Sequence, residues 1–169
     1  GAKEARISMA GLKRFLHYLA ADERCGDLMT AVVDVDYRTV EINPLRLVAE
    51  NPGFPTLTRV GPDWFGFASN WLAAWERTGD TKYRDKIVAG MKSIAAQSGG
   101  LLSHPILGYD PANGVLSPLP GAPAEPTLSH MLAIFGGAET AFELATLIEV
   151  PEWDRAWLDF CVAYNATQE

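Results

Sequence analysis

Between Trp64 and Trp75 almost every side of a helix would be apolar or aromatic, with Trp64, Phe65, Phe67, Ala68, Trp71, Leu72 and Trp75 in one run and Asn70 its single amide. Beyond Gly79-Asp80 the character changes. Tyr83, Ile87, Met91 and Ile94 recur at helical spacing, but charge returns at Lys82, Arg84, Asp85, Lys86 and Lys92. A helix apolar all round is buried, whereas one with a single apolar stripe lies at a surface. The pattern therefore predicts an inner helix over 64–77 and an outer helix over 81–96, joined by a short break. The contrast repeats: "SHMLAIFGGAETAFELATLIE" predicts an inner helix over 129–148, and Trp153, Trp157, Cys161 and Tyr164 an outer helix over 152–164. Earlier, Leu12, Phe15, Leu16 and Leu19 mark one helix, and Cys25, Leu28, Val32 and Val35 its partner. Strand signals are few: "RTVEI" is the best and "TLTRV" is weaker.

The pairs can be laid over one another. "HYLAADERCGDLMTAVVD", "AAWERTGDTKYRDKIVAG" and "ELATLIEVPEWDRAWLDF" each hold a helix end, a break rich in Asp, Glu, Gly or Pro, and a new helix. Repeated helix hairpins predict an all-α fold in an α/α-toroid arrangement, a partial toroid of about three hairpins, with residues 1–169 as one domain. The Asp residues of the breaks are read as helix caps. The connections between hairpins are long, over about 37–62 and 98–127, and long loops on a rigid scaffold concentrate binding groups. Inner helices starting near Asp63 and Ser129 would point their N-termini at that loop face, which favours an anion such as a uronate.

Composition narrows the classes. The chain has 169 residues, 48% hydrophobic and 21% charged, which suits one globular domain with a core. Net charge is −7 and no basic stripe is present, which argues against nucleic acid. The apolar runs are interrupted before the roughly 18 residues a membrane span needs, so no membrane partner is expected. The opening "GAKEARISMAG" has no signal-peptide pattern, so the compartment is left open. Cys25 and Cys161 stand far apart with no CxxC and are read as core residues. Neither a metal nor a cofactor is expected.

Three stretches, "DERCGDLMTAVVDVDYRTVEINPLRL", "RVGPDWFGFASNWLAAWERTGDTKYRDKI" and "SHMLAIFGGAETAFELATLIEVPEWDRAWLDFC", resemble the C-terminal α/α-toroid domain of the exo-rhamnogalacturonan lyase-like proteins, polysaccharide lyase family 26. The similarity runs from Gly11 to Cys161. It implies a bacterial or fungal pectin-degrading context, exported or bacterial cytoplasmic, and β-elimination on the galacturonate–rhamnose backbone. It also implies a larger protein with β-rich domains before the toroid. A closed toroid would want about twice the hairpins seen, so the expected partners are a uronate-containing oligo- or polysaccharide and either those missing domains or a second copy. The same architecture supports a six-hairpin glycoside hydrolase or a non-catalytic carbohydrate-binding or assembly fragment, because fold alone does not choose.

A uronate lyase must neutralise a carboxylate, remove the C5 proton and protonate the leaving O4. Arg suits the first task, and His or Tyr the others. The catalytic candidates are Arg46 and Arg59 in the first long connection and His130 at an inner-helix start. The substrate-binding candidates are Tyr37, Asp63, Asn70, His104 and Tyr109. Each has a plainer reading: a surface Arg, a packing His or Tyr, a helix-capping Asp, a buried Asn bonded to backbone. Glu139 and Glu143, spaced i, i+4, stand about 6 Å apart on one side of any substrate and are poorly placed to flank a glycosidic bond. Trp64, Trp71 and Trp75 are read as core, His17 as structural, and Gly136-Gly137 as close helix packing.

Overall fold

The computed structural model describes residues 9–42, 50–103, 106–122 and 128–166. Three helix hairpins form, with α1 (Gly11–Ala20) on α2 (Glu23–Val32), α4 (Phe65–Thr78) on α5 (Thr81–Ala95), and α6 (Gly137–Leu147) on α7 (Pro151–Ala166). The second hairpin is central: α4 touches α1, α2 and α6, and α5 touches α7. Local chemistry sets the breaks. Asp22 and Asp80 are N-caps, accepting from the backbone N–H of Arg24 and Lys82 at 3.0 Å each. Gly79 closes α4 at φ 70° and donates to the Trp75 carbonyl at 2.8 Å. In the first break, the His17 ring nitrogen Nδ1 lies 3.2 Å from the Asp22 carbonyl, in keeping with a structural role.

The fold is not all-α. A three-stranded antiparallel sheet, β1 (Thr56–Arg59), β2 (Ile106–Asp110) and β3 (Val115–Pro118), is built from the two long connections, in the order β1-β2-β3. Thr56 pairs with Tyr109, Arg59 with Ile106, and Asp110 with Val115. The β2–β3 turn closes through Gly114, whose φ of 78° suits glycine. Thr56, Thr58, Leu107, Tyr109 and Leu116 share the buried inner face of the sheet, Leu57 lies with Gly108 on the other face, and β3 lies on α5. The weaker strand signal, "TLTRV", became β1. The stronger one, "RTVEI", became the short helix α3 (Arg38–Glu41). Its local bonds explain this: Thr39 donates to the Asp36 carbonyl at 2.6 Å, and Thr56 donates to the Thr39 carbonyl at 2.8 Å. A side chain of β1 thus takes the place that a ladder partner would have filled.

The inner and outer types hold for the central pair. All residues from Phe65 to Ala73 in α4 are buried, while α5 buries one stripe through Tyr83, Ile87, Met91 and Ile94. Trp64, Phe65 and Trp153 cluster with ring centroids 5.2–6.1 Å apart. Trp64 and Trp71 are core and Trp75 is partly buried against it. The continuous inner helix over 129–148 does not form. A 3-10 turn at His130–Leu132 is followed by Phe135 at φ 55° and Gly136 at φ 78°, and only then by α6. Gly137 packs its backbone against the Leu132 carbonyl, so the glycine pair gives close packing and a break together. On the flanks, the apolar stripe of α1 faces outward, with Leu16 55% and Leu19 85% exposed. No helix among the described residues is long and apolar enough to cross a membrane.

Candidate functional site

Where β1 runs into α4, the chain passes through a π-helical turn, Val60–Trp64. Asp63 in that turn is fully buried and takes Arg59 Nε at 2.9 Å and the Arg59 backbone N–H at 3.3 Å. The carboxylate thus fixes both the strand end and the guanidinium. Arg59 keeps a quarter of its side chain exposed. It borders a pocket of about 180 Å³ whose other walls include Gly61, Gln97, Ser103 and Ser129. Exposed His130 directly follows Ser129, on the 3-10 turn that packs against the π-helical turn. Arg59 and Asp63 therefore stand together at one end of the sheet, with the turn that carries His130 packed against theirs. The pocket is smaller than the roughly 300 Å³ of ordinary ligand sites and takes a substituent rather than a whole sugar. Through Gln97 and Gly100 it adjoins an open cleft of about 610 Å³ walled by Glu152, Arg155 and Asp159.

The other placed candidates lie elsewhere. Asn70 is buried and donates to the Val32 carbonyl at 3.3 Å, facing α2 rather than the Arg59 pocket. The register puts Tyr109 opposite Thr56, three residues and about 10 Å along the strands from the Arg59 end. There it stacks on Phe67 with ring centroids 5.6 Å apart. Arg46 and His104 fall outside the described residues.

The Tyr109 end holds a network that residue-by-residue reading missed. Fully buried Asp36 forms an ion pair with Lys86 and accepts from the Tyr109 hydroxyl at 2.8 Å. Lys86 Nζ lies 4.6 Å from the ring centroids of both Tyr37 and Trp71, within cation–π range. Burial pushes the Asp36 carboxyl above its ordinary value, with Lys86 pulling the other way. Burial, followed by the Asp36 charge, raises the Tyr109 hydroxyl far above its usual range, so it remains a neutral donor. Half-exposed Tyr37 stands at a cleft of about 460 Å³ beside Lys82 and Asn113. A signal was present in the sequence: Lys86 directly precedes Ile87 in the buried stripe of α5, where a charge demands a partner.

Hairpins stacked side by side, with a small sheet formed by the connections at their ends, define an α/α-hairpin array domain. The chain belongs to the family described as the PcRGLX-like protein C-terminal alpha/alpha toroid domain, which matches residues 1–169. This agrees with the resemblance found in the sequence. It is also 43% identical over 169 residues to the "Uncharacterized protein YetA" of Bacillus subtilis (strain 168), a match covering 100% of this chain and 20% of that protein. The chain thus spans about a fifth of the relative's length.

Proposed function

We propose that this domain is the helical carbohydrate-binding part of a larger lyase-like protein acting on a uronate-containing glycan. Arg59 holds a uronate carboxylate and His130 exchanges a proton with the sugar. The observation that carries this reading is the arginine anchored by buried Asp63 at the mouth of a small pocket, with the His130 turn packed beside it. A guanidinium already oriented loses less freedom when it meets a planar carboxylate. The size of the pocket suits such a substituent, and the adjoining cleft leaves room for the ring that carries it. Family membership supplies the carbohydrate context.

The test uses the full-length polypeptide in which this domain occurs, since the relative it matches is about five times as long. Ultraviolet absorbance of the C4–C5 double bond reports elimination on a galacturonate–rhamnose polymer. His130→Ala is expected to lower turnover on the order of 10²–10⁴-fold while the melting temperature stays unchanged. Unchanged turnover per folded molecule removes His130 from the chemistry. Products that are hydrolysed without unsaturation replace the lyase reading with a hydrolase.

A further inference from the structure

We infer that the Arg59 pocket selects a uronate carrying a short acyl ester, with the acyl methyl against its apolar walls and the acyl carbonyl toward Ser103. The inference rests on the carbohydrate reading above and names the decoration that the same site selects. The pocket holds about 180 Å³, and Arg59, anchored on buried Asp63, stands at its mouth. A carboxylate met there fills only part of that volume. Most of the remaining lining is of a different character. Val60 of the π-helical turn, Ile94 of α5, Leu101 of the 3-10 turn Gly100–Leu102, Leu107 of β2 and Leu132 of the turn His130–Leu132 form apolar walls. All five belong to the main hydrophobic core, and none is more than 6% exposed.

Such walls exclude some occupants. A sugar hydroxyl pressed against them loses its water without gaining a partner, and a carboxylate away from Arg59 fares worse. A methyl group gains there, because apolar surface leaves water on both sides of the contact. Five separate elements supply the walls, and core packing holds each wall side chain. The notch therefore exists before a ligand arrives, and little ordering is needed to fill it.

Two polar groups of the same lining decide between a bare alkyl group and an acyl group. Ser103 Oγ accepts from the Gly99 backbone N–H at 3.0 Å, which orients the hydroxyl and leaves its O–H to donate. Gln97 Nε2 donates to the Ser93 carbonyl at 2.8 Å and carries a second N–H. An alkyl ether has no carbonyl for these donors. An acyl ester presents a carbonyl to them and a methyl to the walls. Acylation of a ring hydroxyl also leaves the uronate carboxylate intact for Arg59, whereas an ester of the acid itself removes the charge that the guanidinium pairs with. The selected decoration is therefore on a hydroxyl and not on the acid.

The experiment titrates the full-length polypeptide in which this domain occurs, by calorimetry, with methyl galacturonoside and with its mono-O-acetyl derivatives at O2 and at O3. One acetylated probe should bind on the order of tenfold tighter than the parent, the size expected for one buried methyl and one hydrogen bond. That ratio of affinities is the readout, so a general loss of affinity in a variant cancels from it. Leu132→Phe, which places a ring in the notch, should bring the ratio to about one. Ser103→Ala, which removes only a hydroxyl at a half-buried position, should lower the ratio roughly three- to fivefold, and it carries the test by itself if Leu132→Phe does not fold. Equal or weaker binding of both acetylated probes, with the parent still bound, overturns the acyl subsite and leaves the uronate reading standing. A ratio that neither variant changes also overturns the subsite, since the preference then arises elsewhere. Binding of no probe at all overturns the uronate reading itself.

Discussion

In α4 every residue from Phe65 to Ala73 is buried, whereas in α6 burial is confined to Gly137, Thr140, Ala141 and Leu144. Both helices read as apolar on all sides, and both are the first helix of a hairpin. The difference is position. α4 has α1 and α2 on one flank, α6 on another and α5 behind it, while among the described residues α6 meets only α4, α7 and the 3-10 turn at His130–Leu132 through substantial contacts. Phe142 and Leu147 of α6 are therefore left 62% and 56% exposed. An apolar sequence thus states a demand for burial, and the number of neighbours decides whether the demand is met.

The largest expected effect tests that directly. Phe67→Ala in α4 should destabilise the domain by about 3–5 kcal/mol, because a fully buried ring stacked on Tyr109 and tilted against Trp71 would leave a cavity. Phe142→Ala, the same chemical change in α6, should alter stability by no more than about 0.5 kcal/mol. Urea denaturation of the two variants measures the contrast. Comparable losses in both would mean that α6 is covered in solution.

Ion pairs extend the comparison. Lys86 and Asp36 are both buried, and the cation also lies against Trp71 of α4, whereas Glu143 of α6, paired with Arg14, keeps 31% of its side chain exposed. Lys86→Met should cost about 3–5 kcal/mol by leaving a buried carboxylate without its cation. Glu143→Gln should cost about 1–2 kcal/mol. The first loss should depend on pH. Burial already raises the Asp36 carboxyl, and removing the Lys86 attraction raises it further. A group with a raised folded-state value contributes fully below its unfolded value, near about 4 for Asp, and loses that contribution as pH rises through the folded value. The penalty of Lys86→Met should therefore be smallest in acid and largest at neutral pH. A penalty that does not change with pH would show that Asp36 is not the group left stranded.

The same contrast shows what could be read from the chain. The α4–α5 hairpin was legible because its two periodicities and its Gly79-Asp80 break are local facts, each with a local physical consequence. Asp63 and Arg59 could be proposed together because they are four residues apart at a predicted helix start. The sheet was not legible in the same way. β1 and β3 have four residues each, β2 carries Gly108 and β3 ends at Pro118, all features that weaken a strand signal. Nor was the Asp36–Lys86 pair, whose members lie 50 residues apart and meet only when the connection folds back on α5. The break before α6 is within reach of the sequence: Gly136-Gly137 calls for close packing, and that same packing interrupts the helix.

The smallest effect expected on stability concerns α1, the other flank of the central hairpin. Its apolar residues at helical spacing make it strongly amphipathic, yet it buries Arg14, next to the buried Ala10 that precedes it, and turns Phe15, Leu16 and Leu19 outward. An exposed apolar residue adds little to folding because it is nearly as hydrated in the native chain as in the unfolded one. Leu19→Lys, at 85% exposure, should shift the unfolding free energy by no more than about 0.5 kcal/mol. It should nevertheless lower the binding of a hydrophobic fluorescent dye to the native protein, since the change interrupts a contiguous apolar patch. Both readings come from one sample: denaturation gives the stability, and dye fluorescence gives the exposed surface. A loss above about 1 kcal/mol would place Leu19 among buried residues on the scale of core truncations, and the outward stripe of α1 would have to be abandoned.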